Sequence, residues 1–439
     1  MGEPGADQAP AQVVGAHRTG SERRGAWARL AALAGLNVLN YVDRQLVAAL
    51  APLLMKELGL SRAQIGLLVG AAFIAVFAVA TITMGILADR LSRTRLVAAG
   101  LGLWSAATAL TGTASGLWSL AAWRGLVGIG EATLSPSALA MLGDTFPPER
   151  LGLASSVFYA GVPVGFACSS ALAGWLAPEL GWRSCFVVLG MAGVFAVALA
   201  LRMSDPPRRT WSDARTTAGA AASTGSAASA TGGLTPDSAV GRLQRALREQ
   251  PALVLLILGT AALGYTSASS QLGITWLVQE RGFEFRQASW LSAGVILVMG
   301  LIGNLGIGAL TDRARRFGAA GRLRAFVAIG AVSLALAAGF YAAPVRSPLF
   351  FACWLGSQAW MLGWYGPLFA AVQELAPAGA RATVIAFTLL VLYLLGVATG
   401  PWITGLIGDR ASLTHGLLAS VGVGALGLLL VAAAAARRR

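Results

Sequence analysis

The sequence predicts an all-α membrane protein in which twelve transmembrane helices form two pseudo-symmetric six-helix bundles around a central cavity. Only 12% of the 439 residues are charged, whereas 56% are hydrophobic. A soluble domain carries about 25% charged residues, so this chain has too few charges to cover a water-facing surface. Its apolar segments are also too long for the strands of a membrane barrel, which leaves helices.

Twelve apolar runs of about 20 residues are separated by clusters of charged or turn-forming residues. The predicted spans are 27–50, 62–87, 96–113, 117–142, 151–177, 183–202, 251–278, 288–310, 323–343, 348–373, 382–408 and 412–436. They divide the chain into an N-terminal tail at 1–26, a first bundle at 27–202, a linker at 203–250, a second bundle at 251–436 and a C-terminal end at 437–439. The tail lacks the apolar centre of a signal peptide, so we expect it to be retained.

The arginines and lysines predict how the chain is oriented. If the N-terminus is cytoplasmic, the inner segments hold 24 of the 33 basic residues and the outer segments hold seven. Basic residues favour the cytoplasmic side, so we expect both termini there, in the plasma (inner) membrane. This placement accounts for the net charge of +14 without a nucleic-acid partner. Membrane lipids are the expected neighbours of a monomer.

The linker has two predicted parts. Residues 216–233 are almost entirely Ala, Ser, Thr and Gly, a composition typical of a flexible linker. Further along, Arg242, Arg245 and Arg248 recur at helical spacing beside two leucines. This pattern predicts a short basic amphipathic helix lying on the inner leaflet.

The two halves of the chain resemble each other. The motif Gly-Ile-Leu-Ala-Asp-Arg at 85–90, which ends the second span, returns as Gly-Ala-Leu-Thr-Asp-Arg at 308–313, which ends the eighth. In the same way, Arg150 before the fifth span parallels Arg381 before the eleventh. Because the order of the helices is kept, these are parallel repeats of six spans. Such repeats predict a substrate site between the halves, near the middle of the membrane.

Several motifs resemble those of the major facilitator superfamily and, within it, of the spinster-like transporters. The loop after span two has the superfamily signature Gly85-x-x-x-Asp89-Arg90-x-x-Arg93-x-Arg95. The spinster-like proteins are similar in Asn-Tyr-Val-Asp-Arg at 40–44, in Arg-Gly-Leu-Val-Gly-Ile-Gly-Glu-Ala at 124–132 and in Asp-Thr-Phe-Pro-Pro-Glu-Arg at 144–150. The resemblance runs from residue 27 to residue 436. It implies a secondary transporter that works by alternating access.

Four charged residues lie inside predicted spans, where an unpartnered charge costs about 2.5–3.5 kcal/mol. They are Asp43 and Arg44 in span one and Arg124 and Glu131 in span four. Asp43 and Arg124 each lie seven residues from the outer end of their span, which predicts a similar depth of about 10 Å. If both helices line one cavity, as the resemblance implies, the two side chains pair. Glu131 would share that face two turns deeper.

A carboxylate beside an arginine can exchange that partner for a proton when the cavity changes shape. We therefore predict that Asp43 carries the proton, that Arg124 competes for it, and that Glu131 is a second carboxylate or a polar contact to substrate. The alternative is an inert ion pair that only orients the helices. For Arg44 two interpretations stay open, because it could face the cavity or snorkel outward to a lipid phosphate.

Uncharged polar and aromatic side chains predict the rest of the cavity. They suit an amphipathic substrate with an acidic or phosphate head near Arg124 and an apolar tail against the second half. The predicted cavity residues are Asn40, Tyr41, Arg44, Tyr159, Tyr265, Gln271, Trp360, Trp364 and Tyr365.

The loop motif predicts a gate on the inner side. Gly85 would let two helices approach closely, Asp89 would cap a facing helix, and Arg93 would pair with Asp144 or Glu149. Such contacts would close the inner side in an outward-facing state and break when that side opens. The predicted gate residues are Gly85, Asp89, Arg90, Arg93, Asp144, Arg150, Asp312 and Arg381.

Together these features favour a proton-coupled transporter of an amphipathic, anionic lipid such as a lysophospholipid or sphingoid phosphate, as the spinster resemblance implies. A proton symporter of a small organic or sugar acid and a drug efflux antiporter stay open as alternatives. The sequence has no nucleophile motif and no phosphate-binding loop, and its three cysteines lack metal-ligand spacing. We therefore predict no enzyme, no metal site and no cofactor, with protons as the coupling ion.

Overall fold

Helices form nearly all of the chain that the structure describes. In this computed structural model the described residues are 20–208, 239–317, 320–377 and 380–437, and no strand occurs among them. The tail before residue 20 and the predicted flexible segment at 216–233 lie outside the described residues.

Eight helices build the first half. They are α1 (Gly20–Leu58), α2 (Arg62–Val69), α3 (Ala71–Arg90), α4 (Arg93–Thr111), α5 (Leu117–Glu131), α6 (Leu134–Thr145), α7 (Pro148–Tyr159) and α8 (Gly161–Arg202). Ten follow in the linker and the second half. They are α9 (Ala239–Glu249), α10 (Pro251–Ser269), α11 (Gly273–Gln279), α12 (Phe285–Arg313), α13 (Gly321–Ala342), α14 (Pro348–Gly363), α15 (Tyr365–Leu375), α16 (Arg381–Val391), α17 (Thr399–Arg410) and α18 (Leu413–Ala436).

Each predicted span is one helix, part of a helix, or a pair of helices with a short break, so the twelve-helix fold is confirmed. Among the described residues, eight helical stretches are long and apolar enough to cross a membrane, and the one at 150–202 contains both spans five and six. Gly181 separates these two spans with a φ of 78°, a left-handed conformation that favours glycine. Spans one, three and ten pack against helices of the other spans.

Six spans are interrupted near their middle. Span two breaks at Gly70, span seven passes through a 3₁₀ turn at Ser270–Leu272, and span eleven contains a π-helix at Leu392–Val397. Spans four, five and ten break as well. Irregular backbone at membrane depth is tolerated where it is buried in protein or lines a water-filled cavity. The breaks are therefore expected where the backbone is buried in protein or lines a cavity.

Span one is longer than its apolar pattern predicts. The prediction ends at residue 50, before Pro52, but α1 continues through this proline to Leu58. Neighbouring groups in a packed membrane protein can compensate for the hydrogen bond that a proline removes. Asp43 therefore lies about 22 Å from the outer end of its helix, farther than the predicted span end implied.

The apolar cores show where the two halves are joined. We call the side of the membrane that is predicted to be cytoplasmic the inner side. One buried cluster takes side chains from the outer ends of both halves, including Trp182 and Trp276. The buried residues of the two inner clusters are nearly separate. Those around Phe158 belong to the first half except for Ala398, with Tyr393 and Val397 packed against them, and those around Phe326 belong to the second. The halves thus share a core at the outer side.

The basic amphipathic helix of the linker is present as α9, but its apolar side does not lie in lipid. Ala246 is buried, and Leu243 and Leu247 pack against the inner core of the second half. The predicted contact with the leaflet is wrong for this face, because it packs against the helices of spans seven and eleven. The arginine side chains at 242, 245 and 248 are exposed.

Candidate functional site

Two arginines and two carboxylates from spans one and four meet inside the first half. Arg124 Nη1 donates to Asp43 Oδ1 at 3.3 Å and to the backbone oxygen of the same residue at 3.4 Å. Thr108 Oγ1 donates a short hydrogen bond to the other carboxylate oxygen of Asp43. The Arg124 and Asp43 side chains are only 1% and 2% exposed. The predicted ion pair is present, although the two residues lie at different distances from the ends of their helices.

The second pair joins Arg44 to Glu131. Glu131 Oε2 accepts hydrogen bonds from Arg44 Nη2 at 2.9 Å and from Nε at 3.2 Å. The Arg44 guanidinium also lies 5.0 Å from the ring centre of Tyr41 and 4.5 Å from that of Phe77. Aromatic faces attract a guanidinium in this geometry. Arg44 is therefore held inside the protein, and the alternative in which it snorkels to a lipid phosphate is wrong.

The charges of the four side chains balance, but their hydrogen bonds are incomplete. Glu131 Oε1 and Arg124 Nε are buried and have no hydrogen-bond partner within the described residues. A buried polar atom without a partner is costly. A proton could therefore bind to this oxygen of Glu131 without displacing an existing hydrogen bond.

The two arginines differ in their access to the space between the halves. The Arg44 side chain is 17% exposed, whereas Arg124 is sealed between Asp43 and Phe73, with its guanidinium 4.7 Å from the phenyl ring centre. The expectation that a substrate head lies beside Arg124 does not fit this geometry. Arg44 is the cation of the cluster that a ligand could reach.

A cleft lies beside the cluster, between the two halves. Its cavity volume is about 50 Å³, and Gln45 and Phe166 line it from the first half. The second half supplies the rest of the lining with no charged side chain, namely Ser270, Gln271, Gly273, Ile274, Leu277, Ser292, Ile296, Gly300, Phe340, Tyr341, Trp354, Gln358 and Met361. The cleft is therefore uncharged and mostly apolar, with amide and hydroxyl groups at a few points.

The predicted cavity residues divide into three groups. Gln271 lines the cleft, whereas Asn40 is buried beside the cluster with its amide nitrogen unpartnered within the described chain. Tyr41, Arg44, Tyr159 and Tyr365 lie around the cluster, close enough to interact electrostatically with one another or with a common neighbour.

The other three predicted cavity residues are placed away from the cleft. Trp360 packs on Phe326 inside the second half, and Trp364 is fully buried and donates through Nε1 to Ser267 Oγ at 2.8 Å. Tyr265 is only 8% exposed. Large aromatic side chains bury much apolar area, so these residues serve the core of their own half. Gln45 was missed, although it follows the charged Asp-Arg motif directly.

On the inner side, each half has one buried arginine that holds two carboxylates. In the first half, Arg93 binds Asp144 at 2.5 Å and Asp205 at 2.8 Å. In the second, Arg322 binds Asp312 at 2.6 Å and Glu374 at 2.6 Å. The predicted contact of Arg93 with Asp144 is present. All these bonds stay within one half, so they brace each bundle and do not bridge the halves.

Several residues of the predicted inner gate make no such contact. A side-chain carbon at Gly85 would meet nothing within 4 Å, so this glycine is not at a close helix approach. Asp89 and Arg90 are exposed, and α4 has no side-chain cap. Arg150 and Arg381 are exposed as well. The capping by Asp89 and the close packing at Gly85 were expected in an outward-facing state and are absent from this conformation, in which the inner ends of the halves do not share a core; they stay predictions for the other state.

Asp205, Arg322 and Glu374 were missed by the sequence analysis. The internal repeat could have revealed the last two. Arg322 follows Arg93 by nearly the same number of residues as Glu374 follows Asp144. Asp205 follows span six and has no counterpart that the repeat would reveal.

On the outer side, bonds and close backbone contacts join the halves. Asp409 at the end of span eleven accepts from the backbone N–H of Arg62 at 2.9 Å and of Ala63 at 3.0 Å. The Arg62 side chain reaches Glu280 of the second half at 3.3 Å. Arg286 of span eight forms a further ion pair with Glu179 of the first half. Together with the shared outer core, these contacts close the outer side, so the structure faces inward.

Comparison with known proteins agrees with this geometry. The family model described as "Major Facilitator Superfamily" matches residues 33–401. The chain belongs to the Major Facilitator Superfamily. It is 32% identical over 438 residues to an "MFS-type efflux pump" of Mycolicibacterium smegmatis, which covers 98% of this chain and 94% of that protein.

Other relatives of this superfamily member are spinster proteins. It is 29% identical to human "Protein spinster homolog 1" over 87% of this chain and 72% of that protein. It is also 29% identical to "Sphingosine-1-phosphate transporter SPNS2" of Danio rerio, over 85% and 74% of the two chains. A crystal structure of a bacterial spinster homolog in an inward-facing and unoccupied conformation superposes with a TM-score of 0.78 over 94% of this chain and 97% of that one, at 19% identity. That likeness shows the fold.

These findings settle the general class of the protein. As a member of the Major Facilitator Superfamily, it is a multi-pass membrane transporter, and it is not an enzyme. The predicted resemblance to spinster-like transporters is confirmed.

The outer contact of Glu280 gives this superfamily member a testable pH response. Burial would raise the pKa of Glu280, but hydrogen bonds from Thr414 and the Leu413 N–H, with the charge of Arg62, lower it below its usual range. A carboxyl with a lowered pKa stabilises its folded contacts above its ordinary pKa of about 4.3 and loses this contribution as the pH falls through the lowered value. We expect the outer side to stay closed from neutral pH to about pH 5 and to loosen only below about 4.

Distances between spin labels at the outer ends of spans two and eleven would follow this closure during a pH titration. Glu280→Gln should loosen the outer side at every pH, because the amide cannot replace both acceptor oxygens. The exposed Glu284 provides a matched control, and Glu284→Gln should leave the distances unchanged. Opening midway between pH 5 and 8 in the unmodified protein would contradict the assignment.

Proposed function

We propose that this chain is a proton-coupled secondary transporter of an amphipathic anion with a lipid-like tail, such as a lysophospholipid or a sphingoid phosphate. In this proposal it acts as a monomer in the inner membrane with both termini in the cytoplasm. The observation that carries the proposal is the position of Arg44, a partly exposed cation at the edge of an uncharged, mostly apolar cleft.

The path from the cation to the cleft is short and aromatic. The Arg44 guanidinium lies over the ring of Tyr41, and Tyr41 contacts Phe166 edge-on with ring centres 5.7 Å apart. Phe166 in turn lines the cleft. An anionic head at Arg44 would therefore lie next to a mostly apolar cleft, along which an apolar tail would extend. Pockets of this kind bind through apolar contact and use a few polar groups for orientation.

The two buried ion pairs support proton coupling. If Glu131 takes up a proton on its free oxygen, its hold on Arg44 weakens, and a substrate anion can take the place of the carboxylate. Asp43 can likewise exchange Arg124 for a proton. Because protonation and substrate binding then act on the same arginines, one event changes the free energy of the other. The change in charge within a low-dielectric interior gives this coupling its strength.

The relatives support a lipid-like substrate and also a second candidate. The zebrafish sphingosine-1-phosphate transporter favours the lipid-like anion. The mycobacterial efflux pump favours export, and the mostly apolar cleft would suit apolar or amphipathic compounds. A small organic acid fits less well, because the cleft lining contains no cation that could hold a second carboxylate.

The coupling role is tested by flux into proteoliposomes under an imposed pH gradient. The substrate is a fluorescent lysophosphatidate, and back-extraction with albumin reports which leaflet it occupies. We expect gradient-driven flux in the unmodified protein and its loss in Asp43→Asn, which keeps the size of the side chain but cannot carry a proton. The exposed Glu284→Gln is the control. Flux in Asp43→Asn that responds undiminished to the gradient would disprove the coupling role.

Competition in the same assay tests the substrate class. Lauryl phosphate should block the flux, because it combines an anionic head with an apolar tail. Stronger inhibition by gluconate would favour the small-acid alternative. Stronger inhibition by ethidium, an apolar cation, would favour drug efflux.

A further inference from the structure

Four of the six tyrosines of the chain form one group that reaches Arg44 through Tyr41 and Tyr393, and they come from both halves. Tyr41 and Tyr159 belong to spans one and five, whereas Tyr365 and Tyr393 belong to spans ten and eleven. Tyr393 lies close enough to Arg44 and to each of the other three tyrosines to interact electrostatically with all of them. Tyr393, which was not among the predicted cavity residues, is therefore the central member of the group.

Direct contacts fix the positions of these side chains. Tyr393 meets Phe77 edge-on at 6.3 Å between ring centres, and the Arg44 guanidinium lies 4.5 Å from the same Phe77 ring. Tyr365 stacks on the buried Trp364 at 4.0 Å. One phenyl ring of the first half is therefore shared by the arginine and by a tyrosine of the second half.

The π-helix of span eleven contributes to this placement. Its wide turn begins at Leu392, and the N–H of Ala398 donates to the carbonyl of Tyr393 at 2.8 Å. Beyond Tyr393, a side-chain carbon at Gly396 would lie 2.6 Å from the backbone oxygen of Ala261 in span seven. Span eleven thus rests on span seven through glycine, while Tyr393 contacts the first half. Such single π-turns occur frequently at functional sites.

The hydroxyl groups of the four tyrosines are available to a ligand. Among the residues that the structure describes, none of them forms a hydrogen bond with a protein atom. The oxygens of the partly buried Tyr41, Tyr365 and Tyr393 are also absent from the polar atoms that are sealed without a partner, and Tyr159 is 40% exposed. The four hydroxyl groups are therefore not sealed inside the protein.

We propose that Arg44, Tyr41, Tyr159, Tyr365 and Tyr393 form a binding site for the phosphate-monoester head of the transported amphipath, with Tyr393 as the donor contributed by span eleven. This inference rests on the proposed function and specifies the head group. A phosphate monoester has three strong acceptor oxygens and up to two negative charges. It can accept from one guanidinium and several hydroxyl groups at once, whereas a carboxylate has only two oxygens to share among these donors.

A cationic head fits this group of side chains less well. Aromatic faces can bind a quaternary ammonium, but Arg44 already occupies the faces of Tyr41 and Phe77 and would repel a second cation. The phosphate also joins the halves, because its donors come from both. Binding would then draw the inner ends together and start the change to the outward-facing state.

Equilibrium binding of lauryl phosphate to the purified full chain, followed by calorimetry, tests the site without requiring transport. Tyr393→Phe removes only the hydroxyl and keeps the ring on Phe77. Since a hydrogen bond to a charged group is at stake, we expect roughly tenfold weaker binding. The matched control is Thr399→Val, which removes from the same span a hydroxyl that bonds only to its own helix at Leu395. Binding to this control should be unchanged.

The outcomes separate the site from the function. If the unmodified protein and Tyr393→Phe bind lauryl phosphate equally, the tyrosine site is wrong and the proposed function stands. If the unmodified protein does not bind lauryl phosphate, the proposed function itself fails. Lauryl trimethylammonium binding more tightly than lauryl phosphate would overturn the phosphate assignment. If inorganic phosphate binds as tightly as lauryl phosphate, the ligand is not a lipid-like amphipath. If inorganic phosphate binds weakly and Tyr393→Phe abolishes this binding, the result supports the site.

Discussion

Replacing Arg124 with glutamine is expected to lower the free energy of unfolding by about 3–5 kcal/mol, because it leaves the Asp43 carboxylate buried without its cation. Asp43 is 2% exposed, and the hydrogen bond from Thr108 would be its remaining side-chain partner. One hydrogen bond from a neutral hydroxyl does not offset the loss of water around a charge. Unfolding of the purified protein in detergent measures the effect.

The double variant Asp43→Asn with Arg124→Gln gives the decisive comparison. It removes both charges, keeps polar groups that can bond to each other, and should regain most of the lost stability. Gradient-driven transport should stay lost, because no proton carrier is restored. Arg410→Gln, at an exposed position, should change stability by no more than about 0.5 kcal/mol. Equal stability of Arg124→Gln and the double variant would show that the two residues are not energetically coupled.

The sequence predicted which residues form the charged cluster, but only one of the two ion pairs among them. Charges are rare inside spans and costly there, so Asp43, Arg44, Arg124 and Glu131 stand out in the sequence. Which side chain faces which depends on the rotation of span one relative to spans three and four. The apolar surroundings carry no information about that rotation, because a helix within a membrane protein can be apolar on every side. The partner of Arg44 therefore emerged only from the structure.

The unknown rotation of a span also explains why the aromatic residues of the second half were wrongly predicted to line the cavity. Trp360 and Trp364 occupy the predicted span ten, but the sequence does not tell whether they face the other half or their own. The structure places both in the core of the second half, where the Trp364 N–H finds Ser267. Tyr393 is the opposite case, a residue that contacts the other half but was not predicted to. The π-helix around it shifts the helical register, whereas an argument from periodicity assumes a regular register.

The contacts on the inner side were easier to predict from the sequence than those on the outer side. Arg93 with Asp144 and the repeat of the loop motif were visible, because opposite charges recur at related positions. The outer closure depends largely on glycines of spans two and eleven that meet backbone to backbone. Glycine is common in membrane helices, so the glycines that make such contacts could not be distinguished from those that face lipid or open space.

Gly66→Ala is expected to keep the outer side from closing and to slow transport by roughly tenfold or more, since alternating access needs both closures. A side-chain carbon at this position would lie 2.1 Å from the backbone oxygen of Pro401 and 2.5 Å from its carbonyl carbon. Backbone atoms of a packed helix cannot move aside as a flexible side chain can, and overpacking of this kind costs about 1–3 kcal/mol. Because the clash exists only when spans two and eleven meet, it penalises the inward-facing state alone and spares the fold of each half.

Label distances between the outer ends of spans two and eleven should therefore lengthen in Gly66→Ala, together with the loss of flux. Gly405→Ala provides an independent test of the same contact, because its added carbon would lie 2.4 Å from the backbone oxygen of Arg62. Gly294→Ala in span eight is the matched control, since its added carbon would meet nothing within 4 Å. Normal transport by both Gly66→Ala and Gly405→Ala would show that the protein completes its cycle without this close approach. Slow transport with unchanged distances would place the defect elsewhere in the cycle and refute the steric argument.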